Sequence, residues 1–148
     1  MRVQSMRIGD KMNHWGKHLI IDAASADFQK INDKEYVRSF VVHLLNKIQM
    51  VPLAPLWLEY CETNDPKKAG ISYVQVLQDS HSAAHFCALS GDFYFDCFSC
   101  KDFDVQVVQA LLIDYFNPKS LHVTVVIRDS LQRSEATTYT IGARGSSE

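Results

Sequence analysis

An α+β fold, an antiparallel sheet with two helices on one face, is predicted by three features of the sequence. Two apolar stripes recur at helical spacing, short strand-like runs lie around them, and the runs in the middle are too closely spaced for parallel crossovers. Such a sheet leaves its other face uncovered. A second copy of the chain is the economical cover, so a homodimer with an α/β/β/α sandwich is expected. At 148 residues the chain fits one domain over 1–148 with one core.

The first element is a short buried strand over Lys17 to Ala24, a β-branched and leucine run that stops at small and polar residues. Asn32 with Glu35 three residues on reads as a capping box. Behind it Val37, Phe40, Val41, Leu44, Leu45 and Ile48 form the core stripe of a helix. Pro52 and Pro55 exclude a helix from the next stretch, where Leu56, Leu58 and Tyr60 alternate as in a strand. Glu62 to Gly70 is polar and rich in turn formers, an exposed loop. Ser72 to Leu77 and Phe93 to Phe98 read as strands, with Ser90-Gly91-Asp92 as the turn before the second. Asp102 or Asp104 can cap a second helix carrying Val105, Val108, Leu111, Leu112 and Tyr115, ended by Asn117-Pro118. A last strand, Leu121 to Arg128, follows, and from about residue 133 the chain reads as a loose tail.

Composition narrows the function classes. Apolar residues make up 47%, charged residues 22%, and the net charge is −2, with Lys and Arg scattered rather than gathered into a basic stripe; nucleic acid is not an expected partner. Apolar runs stop well short of the roughly 20 residues a membrane span needs. The N-terminus does not read as a secretory signal, so the expected location is cytoplasmic. Cys61, Cys87, Cys97 and Cys100 are then expected as reduced thiols.

The chemistry is concentrated between Gly70 and Asp104, GISYVQVLQDSHSAAHFCALSGDFYFDCFSCKDFD. A Gly-x-Ser strand start (Ser72) precedes an acidic-Ser-His triplet (Asp79, Ser80, His81). A second histidine, His85, lies five residues after that serine, and Cys100 lies twenty after it in an Asp-x-Phe-Ser-Cys setting. This spacing resembles the prokaryotic S-adenosylmethionine decarboxylase proenzymes, small pyruvoyl-dependent decarboxylases, and Gly16 to Asp22 is similar to that family's opening strand. The resemblance spans roughly residues 14 to 128 and is strongest from 70 to 104.

The resemblance implies self-cleavage between Asp79 and Ser80. The Ser80 hydroxyl would attack the Asp79 carbonyl, and β-elimination would leave a covalent pyruvoyl group, so no external cofactor is required. It also implies that His85 transfers a proton in the elimination and that Ser72 hydrogen-bonds the intermediate. His81 has a possible positioning role. The keto group would form a Schiff base with a small-molecule amine substrate and act as electron sink as carbon dioxide departs. Cys100 would return a proton to the carbanion.

Other readings use the same residues. His85 could be a satisfied core histidine, and Cys100 a small buried hydrophobe. Cys97-x-x-Cys100 could be a redox pair or, with His81 and His85, a zinc site. If His81 to His85 is extended, however, the two rings lie roughly 13 Å apart and an extended Cys-x-x-Cys points its thiols to opposite faces. No metal is expected.

Three positions depart from the family pattern. Asp79 replaces Glu, Ala83 stands where a hydroxyl is usual, and Phe86-Cys87-Ala88-Leu89 replaces Thr-Trp-Pro-Glu, removing a carboxylate. Three functions follow as expectations: adenosylmethionine decarboxylation for spermidine synthesis, decarboxylation of another amino acid such as arginine or ornithine, or an unprocessed binding homologue.

Overall fold

The computed structural model describes residues 14–132 and 135–143. Among these residues one seven-stranded sheet runs in the order β2-β3-β4-β5-β1-β6-β7, every neighbouring pair antiparallel. Its strands are β1 (Gly16–Ala24), β2 (Trp57–Cys61), β3 (Gly70–Leu77), β4 (Ser80–Phe86), β5 (Phe93–Ser99), β6 (Ser120–Arg128) and β7 (Glu135–Gly142). Helices α2 (Lys34–Ile48) and α3 (Val105–Phe116) carry the buried stripes, and a one-turn helix, α1 (Phe28–Ile31), precedes α2.

The α2 stripe is the one the sequence predicts: Val37, Phe40, Val41, Leu44, Leu45 and Ile48 are all buried. On α3 the buried set is Val108, Gln109, Leu111, Leu112 and Phe116. Phe116 is fully buried, with ring centroids 5.1 Å from Phe40 and Phe86 and 5.4 Å from Phe93. Helix and sheet therefore share one aromatic core. Alternation along the strands then fixes the faces: Ser82, Ala84 and Phe86 of β4 are buried, whereas His81 and His85 are exposed. The same exposed pattern includes Val74, Val76, Trp57 and Tyr94.

The cap of α2 is Asp33 rather than Asn32. Its side chain accepts from Tyr36 N–H at 3.1 Å, satisfying an orphan donor. Asn32 closes α1 instead, its amide donating to the Phe28 carbonyl at 2.9 Å. The tail expectation also needs correction. Glu135–Gly142 pairs with β6 from Ile127↔Glu135 to Ser120↔Gly142; the rest of the predicted tail, 133–134 and 144–148, lies outside the described residues. Open backbone groups on the edge of β6 accept an added strand. The Gln109 amide donates to the Tyr139 hydroxyl, and Ile141 packs against the core. Because β7 is otherwise exposed, its sequence lacks the alternation that marks a half-buried strand.

Candidate active site

The hairpin β3–β4 turns through Gln78 and Asp79, pairing Leu77 with Ser80. Ser80 has φ +149°, a conformation in which an L side chain clashes with its own backbone and which costs of the order of 1–3 kcal/mol. The carbonyl just before it, that of Asp79, accepts a hydrogen bond from Cys100 N–H at 2.9 Å. A strained serine is thus joined to a carbonyl already polarised by a backbone donor.

Cys100 sits just beyond β5 in a firmly tied loop. Lys101 N–H donates to Ser99 Oγ at 2.9 Å, Lys17 Nζ pairs with Asp102 at 2.7 Å and also donates to the Phe103 carbonyl, and Asp104 caps α3. The Cys100 side is exposed, whereas Cys97 is buried in the core, where desolvation and then the Asp96 charge push its thiol up to about 12. Strand geometry, with 97 and 99 facing inward, separates the two cysteines of the Cys-x-x-Cys pair in environment.

At the opposite end of β4, Ser72 Oγ lies 2.7 Å from His85 Nδ1, because Ser72 and His85 are directly paired across β3 and β4. Gly70 makes that pairing possible. Its φ is +157°, and a Cβ there would lie 1.7 Å from the Phe86 carbonyl oxygen, so only glycine allows the strand start to approach so closely. With Nδ1 held by Ser72, Nε2 of His85 is the nitrogen left for proton transfer.

The two ends do not meet within the chain. His85 is five residues along an extended strand from Ser80, a separation of roughly 17 Å. The structure therefore joins Ser72 to His85, and Ser80 and Asp79 to Cys100, but not one pair to the other. His81, next to Ser80, points to the open face, where its ring lies 5.8 Å from Phe98. Asp96 Oδ1 is 4.0 Å from His81 Nε2 and 3.5 Å from His18 Nε2, and Arg128 stacks on Phe98 at 4.2 Å. Among the described residues no cluster of three or more His, Cys, Asp or Glu could hold a metal ion.

A cavity of about 710 Å³ opens over the Ser72–His85 pair, a size suited to a small organic ligand. Its walls include Trp57, Tyr94, Leu89 and Asp92, with Lys67 and Lys68 from the short turn before β3. Sequence reading does not single out these wall residues, because they come from β2, β5 and two loops whose proximity is a property of strand order. A smaller cavity of about 390 Å³, lined by Trp15, Phe98 and Arg128, lies toward the Ser80 end. No helix among the described residues is long and apolar enough to cross a membrane.

Comparison with known proteins adds a finding independent of this geometry. Residues 17–129 match the sequence model of a family described as S-adenosylmethionine decarboxylase. The chain is 22% identical over 115 residues to S-adenosylmethionine decarboxylase proenzyme 2 of Bacillus cereus, covering 77% of this chain and 89% of that protein. It is 23% identical over 131 residues to the S-adenosylmethionine decarboxylase proenzyme of Pyrococcus abyssi, covering 88% and 90% respectively.

Proposed function

The chain belongs to the S-adenosylmethionine decarboxylase family, and from that premise we propose that it is a proenzyme that cuts itself between Asp79 and Ser80 and then decarboxylates S-adenosylmethionine for spermidine synthesis. The observation that carries this reading is the backbone at the proposed cut: Ser80 at φ +149°, with the Asp79 carbonyl 2.9 Å from Cys100 N–H.

In the first step Ser80 Oγ adds to the Asp79 carbonyl carbon. A C–O bond forms, the peptide C–N bond breaks, and the nitrogen takes up the hydroxyl proton, leaving an ester. The Cys100 N–H is placed to stabilise negative charge on the Asp79 oxygen as it develops. A base then removes the Cα proton of residue 80, the Cβ–O bond breaks, and the Asp79 carboxylate leaves. Hydrolysis of the remaining enamine releases ammonia and gives the keto group. The Cα becomes trigonal, so the positive-φ strain of an L residue is lost along the path. Strain at this position favours product.

The residues fit a pyruvoyl group at position 80, which supplies an electron sink for the carbanion left when carbon dioxide departs. Cys100, whose N–H bonds the Asp79 carbonyl, would return a proton to the substrate carbon. The base is His85, held by Ser72, but it is the partner's His85 that serves each Ser80. Face-to-face packing about a two-fold axis lying between the sheets and across the strands would lay the Ser80 end of one β4 over the His85 end of the other. The exposed Val74 and Val76 supply apolar area for that contact.

Intact-mass measurement tests the proposal. Wild-type protein should appear as fragments 1–79 and 80–148, and Ser80→Ala as one uncut chain. Cleaved protein should release carbon dioxide from adenosylmethionine; a wild-type chain that stays whole under all conditions would leave only a non-catalytic role.

A further inference from the structure

We propose that Asp92, in a cavity walled by the rings of Trp57 and Tyr94, determines substrate specificity by receiving the cationic end of the substrate over Ser72 and His85. The inference deepens the decarboxylase reading and rests on it. Asp92 is the one carboxylate among the described residues lining that cavity. Its Oδ1 accepts from Ser25 N–H at 2.9 Å, which orients the group. The Tyr94 hydroxyl and the Cys87 thiol are both pushed up, first by desolvation and in part by the negative charge of Asp92, so the carboxylate lies near both of these wall residues.

The walls favour the same ligand charge. Trp57 and Tyr94 present half-exposed rings from β2 and β5, on either side of the paired β3 and β4 that carry Ser72 and His85. Aromatic faces attract sulfonium, guanidinium and ammonium groups. Cys87 and Leu89, which stand in place of the Trp and Glu of the resembling family, line the cavity too. Its ring and its acid come instead from Tyr94 and Asp92. Lys67 and Lys68 oppose a cation, but both are exposed, where water and salt screen them more strongly than a half-buried carboxylate. The carboxylate therefore sets the local preference.

Steady-state kinetics on the cleaved, full-length enzyme test this, with adenosylmethionine, arginine and ornithine as separate substrates. Each is paired with a neutral analogue as inhibitor: S-adenosylhomocysteine, citrulline and norvaline. The arm that shows turnover identifies the cation. Asp92→Asn keeps an acceptor for Ser25 N–H, so the loop is retained. It should raise KM for the cationic substrate about tenfold, as expected for a lost charged contact, with kcat within about twofold and the neutral analogue's Ki unchanged. Tyr94→Ala should also raise KM, whereas Lys67→Ala/Lys68→Ala should lower it or leave it unchanged. An unchanged KM in Asp92→Asn, a parallel rise in KM and the neutral Ki, or a raised KM in the lysine variant would each overturn the assignment. Wild-type enzyme that is cleaved but turns over none of the three would reject the decarboxylase reading itself, and this one with it.

Discussion

Sharing of the site between two chains is open to a direct complementation experiment. Neither Ser80→Ala nor His85→Ala should be cleaved as a homodimer, the first for want of the nucleophile and the second for want of the base. In a mixed dimer, the His85→Ala chain retains Ser80 and the Ser80→Ala chain retains His85. Because roughly 17 Å of strand separates the two positions within a chain, only the partner's histidine can reach. Equal co-expression gives half mixed dimers, each with one complete site, so about a quarter of all chains should be cleaved. The cleaved chain should always carry the His85→Ala substitution. Intact mass reads both the fraction and the identity, since a cut His85→Ala chain yields an 80–148 fragment carrying Ala at 85 while the Ser80→Ala chain stays whole at its own mass. A mixture in which no chain is cut, although wild type is, would refute the shared site; efficient cleavage of the His85→Ala homodimer would remove His85 from the reaction altogether.

Other outcomes follow from the same geometry. Cys100→Ala retains its backbone N–H and so should still be cleaved, while losing on the order of 100-fold in carbon dioxide release as its proton donor is gone; full activity would return Cys100 to a packing role. Phe116→Ala removes a ring shared by helix and sheet and should cost about 3–5 kcal/mol in urea unfolding. Gly70→Ala would place a Cβ 1.7 Å from the Phe86 carbonyl oxygen and should separate Ser72 from His85; normal stability and cleavage would contradict that close approach. Burial raises the Cys97 thiol from 9.0 to about 12. The unfolded chain therefore releases this proton first as pH rises. Its contribution to stability is fully present below pH 9 and is lost between about 9 and 12, and Cys97→Ala should show a flatter decline over that window in thermal melts.

Local chemistry made much of the fold legible in the sequence. The stripe from Val37 to Ile48, the end of α3 at Asn117-Pro118 and the run after Lys17 each carry a signal within a few residues. The offsets among Ser72, Ser80, His85 and Cys100 were legible for the same reason, since they lie on β3, on β4 and just past the end of β5. Signals of tertiary origin were not. Strand β7 is recruited by the free edge of β6 and by Gln109, thirty residues before Tyr139, so its own sequence shows only an exposed, polar run.

What the sequence determined by itself was the class of fold and the candidate side chains for the site, because periodicity and residue type are local properties. Tertiary structure decided which of those side chains face one another. Antiparallel register put Ser72 on His85 and the N–H of Cys100 on the Asp79 carbonyl, and the length of β4 kept the two pairs apart. Strand order brought Trp57, Tyr94 and Asp92 around one cavity. Distance along an extended strand grows by about 3.3 Å per residue, so residues near in sequence are held apart, and those near in space come from neighbouring strands.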